Sequence, residues 1–168
     1  MGEDIKNKFL KAYEAYADAL FRHCYYRVYD RELAKDLVQE AFCRTWDYLS
    51  RGNDINNLRA FLYQVLRNII ADEIRKKKHI SLDQLIEEGF SPANETNPNV
   101  EQKLIAKDVV RTLNLLDEPY REVMQLRFID DLSLKEISTV LQVSENTISV
   151  RIHRGIKKLR KLTGEKLE

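Results

Sequence analysis

The stretch 132–162, LSLKEISTVLQVSENTISVRIHRGIKKLRKL, leaves little choice of local fold. Ser133 is placed to cap a helix, and Glu136, three residues on, completes a capping box. Leu134, Ile137, Val140 and Leu141 then fall on one face at helical spacing. Gln142-Val143-Ser144 is too short for anything but a turn. Ser144 can cap a second helix by accepting from an N–H of its first turn, with Asn146 and Thr147 just inside it. Ile148, Ile152, Ile156 and Leu159 supply the inner stripe of that helix. Its outer face carries Ser149, Arg151, His153, Arg154, Lys157, Lys158, Arg160 and Lys161. The predicted unit is a helix-turn-helix with a basic second helix, the arrangement that enters a DNA major groove. Arg and Lys there neutralise phosphates, and Arg also reads guanine edges. The plainer reading is a helical hairpin with a solvated cationic face. The two caps around a short turn and the polar early positions of the second helix favour DNA.

Composition agrees with helices. At 43% hydrophobic and 33% charged, with five Gly and three Pro in 168 residues, the chain has ample material for packed helical cores. No run of about 18 apolar residues occurs, so no membrane span is expected. The start, MGEDIKNKF, lacks the apolar segment of a signal peptide, and a cytoplasmic location is expected. Cys24 and Cys43 lie in separate predicted helices without a C-x-x-C, and both are expected to be buried free thiols in a reducing compartment. His23, His79 and His153 are scattered, so neither a metal site nor a cofactor is expected. The net charge of +1 conceals a division: residues 1–78 carry 15 Lys/Arg against 12 Asp/Glu, residues 79–100 carry none against four, and residues 101–168 carry 13 against 11. Basic ends flank an acidic middle, which points to weak DNA affinity without help from a partner.

The periodicity resolves the remainder into helices. A first helix over 4–28 has Phe9, Ala12, Tyr16, Leu20, Cys24 and Val28 near one stripe, with further aromatics at Tyr13, Phe21, Tyr25, Tyr26 and Tyr29 read as core and rim. Asp30 is a plausible N-cap for a second helix over 31–50, whose apolar face is Leu33, Leu37, Val38, Ala41, Phe42, Thr45, Trp46 and Leu49. Its other face, Asp36, Gln39, Glu40 and Asp47, is either solvated or a docking surface for a basic partner. Gly52 suits the stop, and 51–57 is a polar turn. A third helix over 58–78 buries Leu58, Phe61, Leu62, Val65, Leu66, Ile69, Ile70 and Ile74. It ends in Lys76-Lys77-Lys78, cations that a helix C-terminus favours in any case and that extend the face begun by Arg67 and Arg75. Residues 79–100 hold two of the three prolines and are expected to be a linker. A fourth helix over 101–116 is broken by Asp117-Glu118-Pro119, and Pro119 is expected in the first turn of a fifth. The expected fold is all-α: two small helical domains, 1–78 and 101–168, joined by a flexible acidic linker, the second domain a helix-turn-helix domain.

These motifs, in this order, resemble the extracytoplasmic-function group of bacterial RNA polymerase sigma factors, and the resemblance spans nearly the whole chain. Asp36-Leu37-Val38-Gln39-Glu40-Ala41-Phe42 followed by Trp46 looks like the family's polymerase-docking helix. Phe61-Leu62-Tyr63-Gln64-Val65-Leu66-Arg67-Asn68, with Asp72 beyond, looks like its promoter-melting helix. Pro119-Tyr120-Arg121-Glu122-Val123, Leu126-Arg127-Phe128 and Arg151-Ile152-His153-Arg154 are similar to its second domain. The resemblance implies a non-enzymatic initiation factor with core RNA polymerase and promoter DNA as partners. Asp36, Gln39, Glu40 and Trp46 would bind the clamp helices. The 51–57 loop and Asn68 would hold the separated strand of the −10 element, beside Asp72, with Arg67, Arg75, Lys76, Lys77 and Lys78 on phosphates. Ser144, Asn146, Thr147, Ser149, Val150, Arg151, His153, Arg154, Lys157 and Lys158 would face the −35 duplex, and the acidic linker would thread toward the polymerase active site. An anti-sigma protein that covers the docking face or clamps the two domains is expected by the same resemblance.

The sequence departs from the family's pattern at Lys35, where an acidic residue is common, and at Asn146, Ser149 and Val150, so no −35 consensus is carried over. Nothing after Glu168 is expected to form a fused sensor. The alternative is a stand-alone helix-turn-helix regulator, which would dimerise on a palindrome and has no need for both the 31–50 and 58–78 faces. An enzyme has no footing here: the sequence holds no phosphate loop, nucleophile elbow or metal constellation.

Overall fold

The computed structural model describes residues 2–81 and 108–164, and for 78–81 the backbone alone. No strand occurs among them. The chain divides into two compact units, Met1–Ala93 and Asn94–Glu168.

The first unit consists of α1 (Gly2–Val28), α2 (Arg31–Ser50) and α3 (Leu58–Ser81), and each helix packs on the other two. Asp30 caps α2 as expected, its Oδ1 accepting from the Leu33 N–H at 3.1 Å. Gly52, at φ 85°, closes that helix in the left-handed region. A cap that sequence reasoning missed opens α3, where Asn57 Oδ1 accepts from the Ala60 N–H at 3.0 Å. The core lies where the apolar stripes meet: Leu20, Cys24, Ala34, Ala41, Leu62, Leu66 and Ile70 are all but sealed from solvent. Tyr63 and His23 are buried with them, their rings edge to face at 5.3 Å. Thr45 is buried too, its hydroxyl satisfied by the Ala41 carbonyl at 2.8 Å.

Two expectations need correction in this unit. The third helix does not stop at 78 but continues to Ser81, because no Gly or Pro follows until Gly89 and the lysine run alone ends nothing. Cys24 is buried, and burial pushes its thiol up to about 12 although the nearby Arg27 charge pulls the other way. Cys43 is exposed. It follows buried Phe42, but one helical step of about 100° turns it onto the face of Asp36, Gln39 and Glu40.

In the second unit residues 108–113 form a helical segment, α4, and 101–107 of the expected fourth helix lie outside the described residues, as do 82–100 of the expected linker. Pro119 is the N-cap of α5 (Tyr120–Met124), one position earlier than expected. A π-helical turn, Gln125–Ile129, follows, where the sequence shows only plain helical spacing. It buries Gln125 and Leu126 while leaving Phe128 exposed. Arg127 then donates to the Leu132 carbonyl at 2.9 Å, fixing the short link to α6 (Leu134–Leu141). α7 (Glu145–Thr163) ends at Gly164 in the left-handed region. Leu113, Leu116 and Met124 form a core cluster against Tyr120, Ile129, Ile152, Ile156 and Leu159. Leu132, Ile137, Val140 and Ile148 are buried where α6 meets α7.

Candidate nucleic-acid and partner interfaces

The outer face of α2 presents Asp36, Gln39, Glu40, Cys43 and Trp46 within three turns. The acidic groups are exposed, and Glu40 already pairs with Arg44 at 2.7 Å along the helix. At such exposure that pair is worth little and is free to exchange for a partner's cation. Trp46 is 38% exposed, so it is a rim residue of the bundle and not wholly core. Its ring stands against Phe9 of α1 at 5.1 Å. Phe9 and Tyr13 also meet Phe42, at 5.9 and 4.9 Å. Together α1 and α2 enclose an apolar groove of about 930 Å³ beside the acidic residues, with Leu10 and Tyr13 on its α1 wall. Sequence reasoning passes over Leu10 and reads Tyr13 only as core and rim. Both are about half exposed, which is unusual for side chains of that size on an otherwise polar helix face.

The 51–57 loop is fixed by its own polar groups. Asn53 donates to the Tyr48 carbonyl at 3.0 Å, Asp54 accepts from the Ile55 N–H at 2.9 Å, and the Ile55 side chain is buried beneath. The Tyr48 ring packs on Phe61 at 5.0 Å at the base of the loop. On α3, Asn68, Asp72 and Arg75 share an exposed face, and Asp72 pairs with Arg75 at 2.7 Å. Arg67 is half-buried, Lys76 and Lys77 are exposed, and the Lys78 side chain lies outside the described residues.

The helix-turn-helix is built as its sequence indicates. Ser133 Oγ accepts from the Glu136 N–H at 3.1 Å while Glu136 Oε2 accepts from the Ser133 N–H at 2.9 Å. Ser144 Oγ accepts from the Thr147 N–H at 3.1 Å and lies 2.9 Å from the Thr147 hydroxyl. Both hydroxyls therefore serve the cap first. Gln142, at φ 56°, makes the turn, and Ser138 donates to the Val143 carbonyl behind it. Gly155 is buried where α7 crosses α5: a Cβ there would stand 3.1 Å from Met124 Cγ and Sδ. On the open side of α7, Asn146, Ser149, Val150, His153, Arg154, Lys157 and Lys158 are exposed, while Arg151 is half-buried. Lys158 sits 4.5 Å over the Tyr120 ring, a cation–π contact that holds the helix end to α5.

Residues 12–80 match the family Sigma-70 region 2, and residues 106–159 match Sigma-70, region 4. The chain is 30% identical to the ECF RNA polymerase sigma factor SigW of Bacillus subtilis (strain 168), over 93% of this chain and 89% of that one. It is an ECF sigma factor. The sigma factor is also 29% identical to SigM of the same organism, over 89% of this chain and 91% of that one. Among solved structures its fold is shared with the sigma factor RpoE from Bartonella quintana, solved with the anti-sigma factor NepR, at a TM-score of 0.73 and 23% identity over 98% of this chain and 99% of that one. CnrH, solved with the cytosolic domain of CnrY, superposes with a TM-score of 0.69 at 23% identity over 95% of this chain and 89% of that one. SigW and SigM are ECF RNA polymerase sigma factors, and neither matching family is catalytic. No group of three or more His, Cys, Asp or Glu suited to a metal ion occurs among the described residues. No helix among them is long and apolar enough to cross a membrane.

Proposed function

We propose that this sigma factor divides promoter recognition between its units, as a non-enzymatic factor acting in the cytoplasm. Residues 1–78 dock core RNA polymerase and open the −10 element, 79–100 connect, and 101–168 read the −35 duplex. The observation that carries the reading is the pairing, on one chain, of an acidic α2 face beside an exposed tryptophan and apolar groove with a doubly capped helix-turn-helix. A stand-alone regulator would use the second feature and leave the first idle.

Asp36, Gln39 and Glu40 offer carboxylates and an amide to a cationic helical partner such as the clamp helices, and Trp46 with the groove offers desolvated apolar area at their edge. The 51–57 loop and Asn68 hold the separated −10 strand, because an unpaired base needs a pocket and edge-on hydrogen bonds. Arg67, Arg75, Lys76, Lys77 and Lys78 hold its phosphates, with Asp72 orienting Arg75. Asn146, Ser149, Val150, Arg151, His153, Arg154, Lys157 and Lys158 meet the −35 duplex, and Ser144 and Thr147 present the start of the helix to it. An anti-sigma protein is the expected regulator. Support comes from the shared fold of RpoE, which was solved with the anti-sigma factor NepR.

The experiment is co-elution of the full chain with bacterial core RNA polymerase on a sizing column, beside Asp36→Lys. A stable complex is expected for the natural chain. The variant should bind about tenfold or more weakly, since a lysine there faces like charge. If the natural chain elutes alone at every salt concentration, the reading fails.

A further inference from the structure

The open side of α7 carries a stripe of Asn146, Val150, His153, Lys157 and Arg160, separated by steps of four, three, four and three residues. Four members are polar or cationic. Val150 is neither, and it is 40% exposed. It points away from Ile148, which is buried against α6, and from Ile152 and Ile156, which pack on the core of the unit. A β-branched side chain at an exposed helical position disfavours the free helix relative to Ala, because its χ1 is restricted and nothing covers it. A surface that covers it in a complex would offset that cost.

Val150 lies in the second turn of α7, within the N-terminal part of a recognition helix that meets base edges. In the major groove the base edges present hydrogen-bond donors and acceptors, and one large apolar group: the C5-methyl of thymine. A valine has nothing to offer the donors and acceptors. We infer that Val150 is a specificity-determining residue, which selects a thymine in the −35 duplex by packing against its C5-methyl, with Asn146 and His153 bonding to the neighbouring edges. This rests on the reading that α7 enters the −35 major groove.

The test uses holoenzyme assembled from the full chain and core RNA polymerase. Duplexes bound from a pool randomised in the −35 window supply the probe. Each thymine of the selected window is then replaced in turn by uracil, which lacks only the methyl. At one position the replacement should weaken binding by the natural chain about threefold to fourfold, the worth of one buried methyl. Val150→Ala should bind thymine and uracil alike at that position, and Val150→Ile should restore the preference. Alanine is the better helix former at this exposed site, so the variant folds, and circular dichroism checks it. The inference is overturned if the window contains no thymine, if no uracil replacement matters, or if Val150→Ala keeps the natural sensitivity. If no duplex is selected at all, the −35 reading has failed and the inference falls with it; co-elution with polymerase is scored separately.

Discussion

The two units hold their helices in place by different means. In the first, α1, α2 and α3 are 27, 20 and 24 residues long, and each packs on the other two. Burial over several turns of each helix fixes the bundle, and caps only trim the ends. In the second, α5 and α6 have five and eight residues, lengths at which an isolated helix does not persist in water. There the backbone is held by point devices: a reciprocal capping box, a second serine cap, an arginine on a loop carbonyl and a glycine at a helix crossing. A surface carried by the bundle should tolerate local change, and one carried by the second unit should not.

The largest expected effect is in the bundle core. Leu66 is fully buried where α3 meets its neighbours, so Leu66→Ala should cost about 2–5 kcal/mol, the lost transfer energy plus a cavity. Trp46, the single tryptophan, sits in this unit and reports it by fluorescence during urea unfolding. A cost below about 1 kcal/mol would mean that the bundle relaxes around the cavity and is not held by burial along its length.

Gly155 tests the point devices. Leucine there meets Met124 and Tyr120 of α5, and Gly155→Leu should destabilise the second unit by about 1–3 kcal/mol through overpacking. Gly155→Ala should stay within about 1 kcal/mol of the natural chain, since the flexible end of Met124 can give and alanine favours the helix. Thermal unfolding followed at α7 amides by NMR separates the two. Equal behaviour of Leu and Ala would show that the crossing is slack and that the glycine is not a constraint.

Most of the first unit and the frame of the second were legible because their causes are local. Asp30, Ser133 with Glu136, and Ser144 each act on an N–H three residues away, so the chain alone displays them. The α2 face was legible for the same reason: Asp36, Gln39 and Glu40 share it by spacing. What escaped needs a second element. Gly155 is significant only once α5 lies across it, and Tyr63 is buried through His23 on another helix. The groove exists only when Leu10 and Tyr13 of α1 stand opposite Phe42 and Trp46 of α2, and neither periodicity shows that alone. Residue type alone puts Cys43 inside, and its helical angle puts it outside. The π-helical turn has no sequence mark: Leu126 buried and Phe128 exposed, two residues apart, would lie on opposite faces of a plain α-helix as well.

The smallest effect separates the units most sharply, because it applies one chemistry to both. Asp30→Ala and Ser133→Ala each remove a side-chain acceptor from a first-turn N–H, at 3.1 Å in both cases. A cap is worth about 1 kcal/mol, with a range of roughly 0.5–2. Both freed N–H groups are exposed, and water can replace the lost acceptor in each. On α2, 20 residues of packing remain, so the cost should fall at the low end. On α6 the alanine also removes the hydroxyl side of a reciprocal box from an eight-residue helix whose C-terminal turn leads directly into α7. The cost there should fall at the high end, and hydrogen exchange should quicken across all of α6 and not its first turn alone. Weaker binding to −35 duplex should accompany it, since α6 sets the angle at which α7 is presented. If both substitutions cost the same and exchange quickens only at the first turn, the short helices are held by their cores after all, and the contrast between the units is one of length without mechanical consequence.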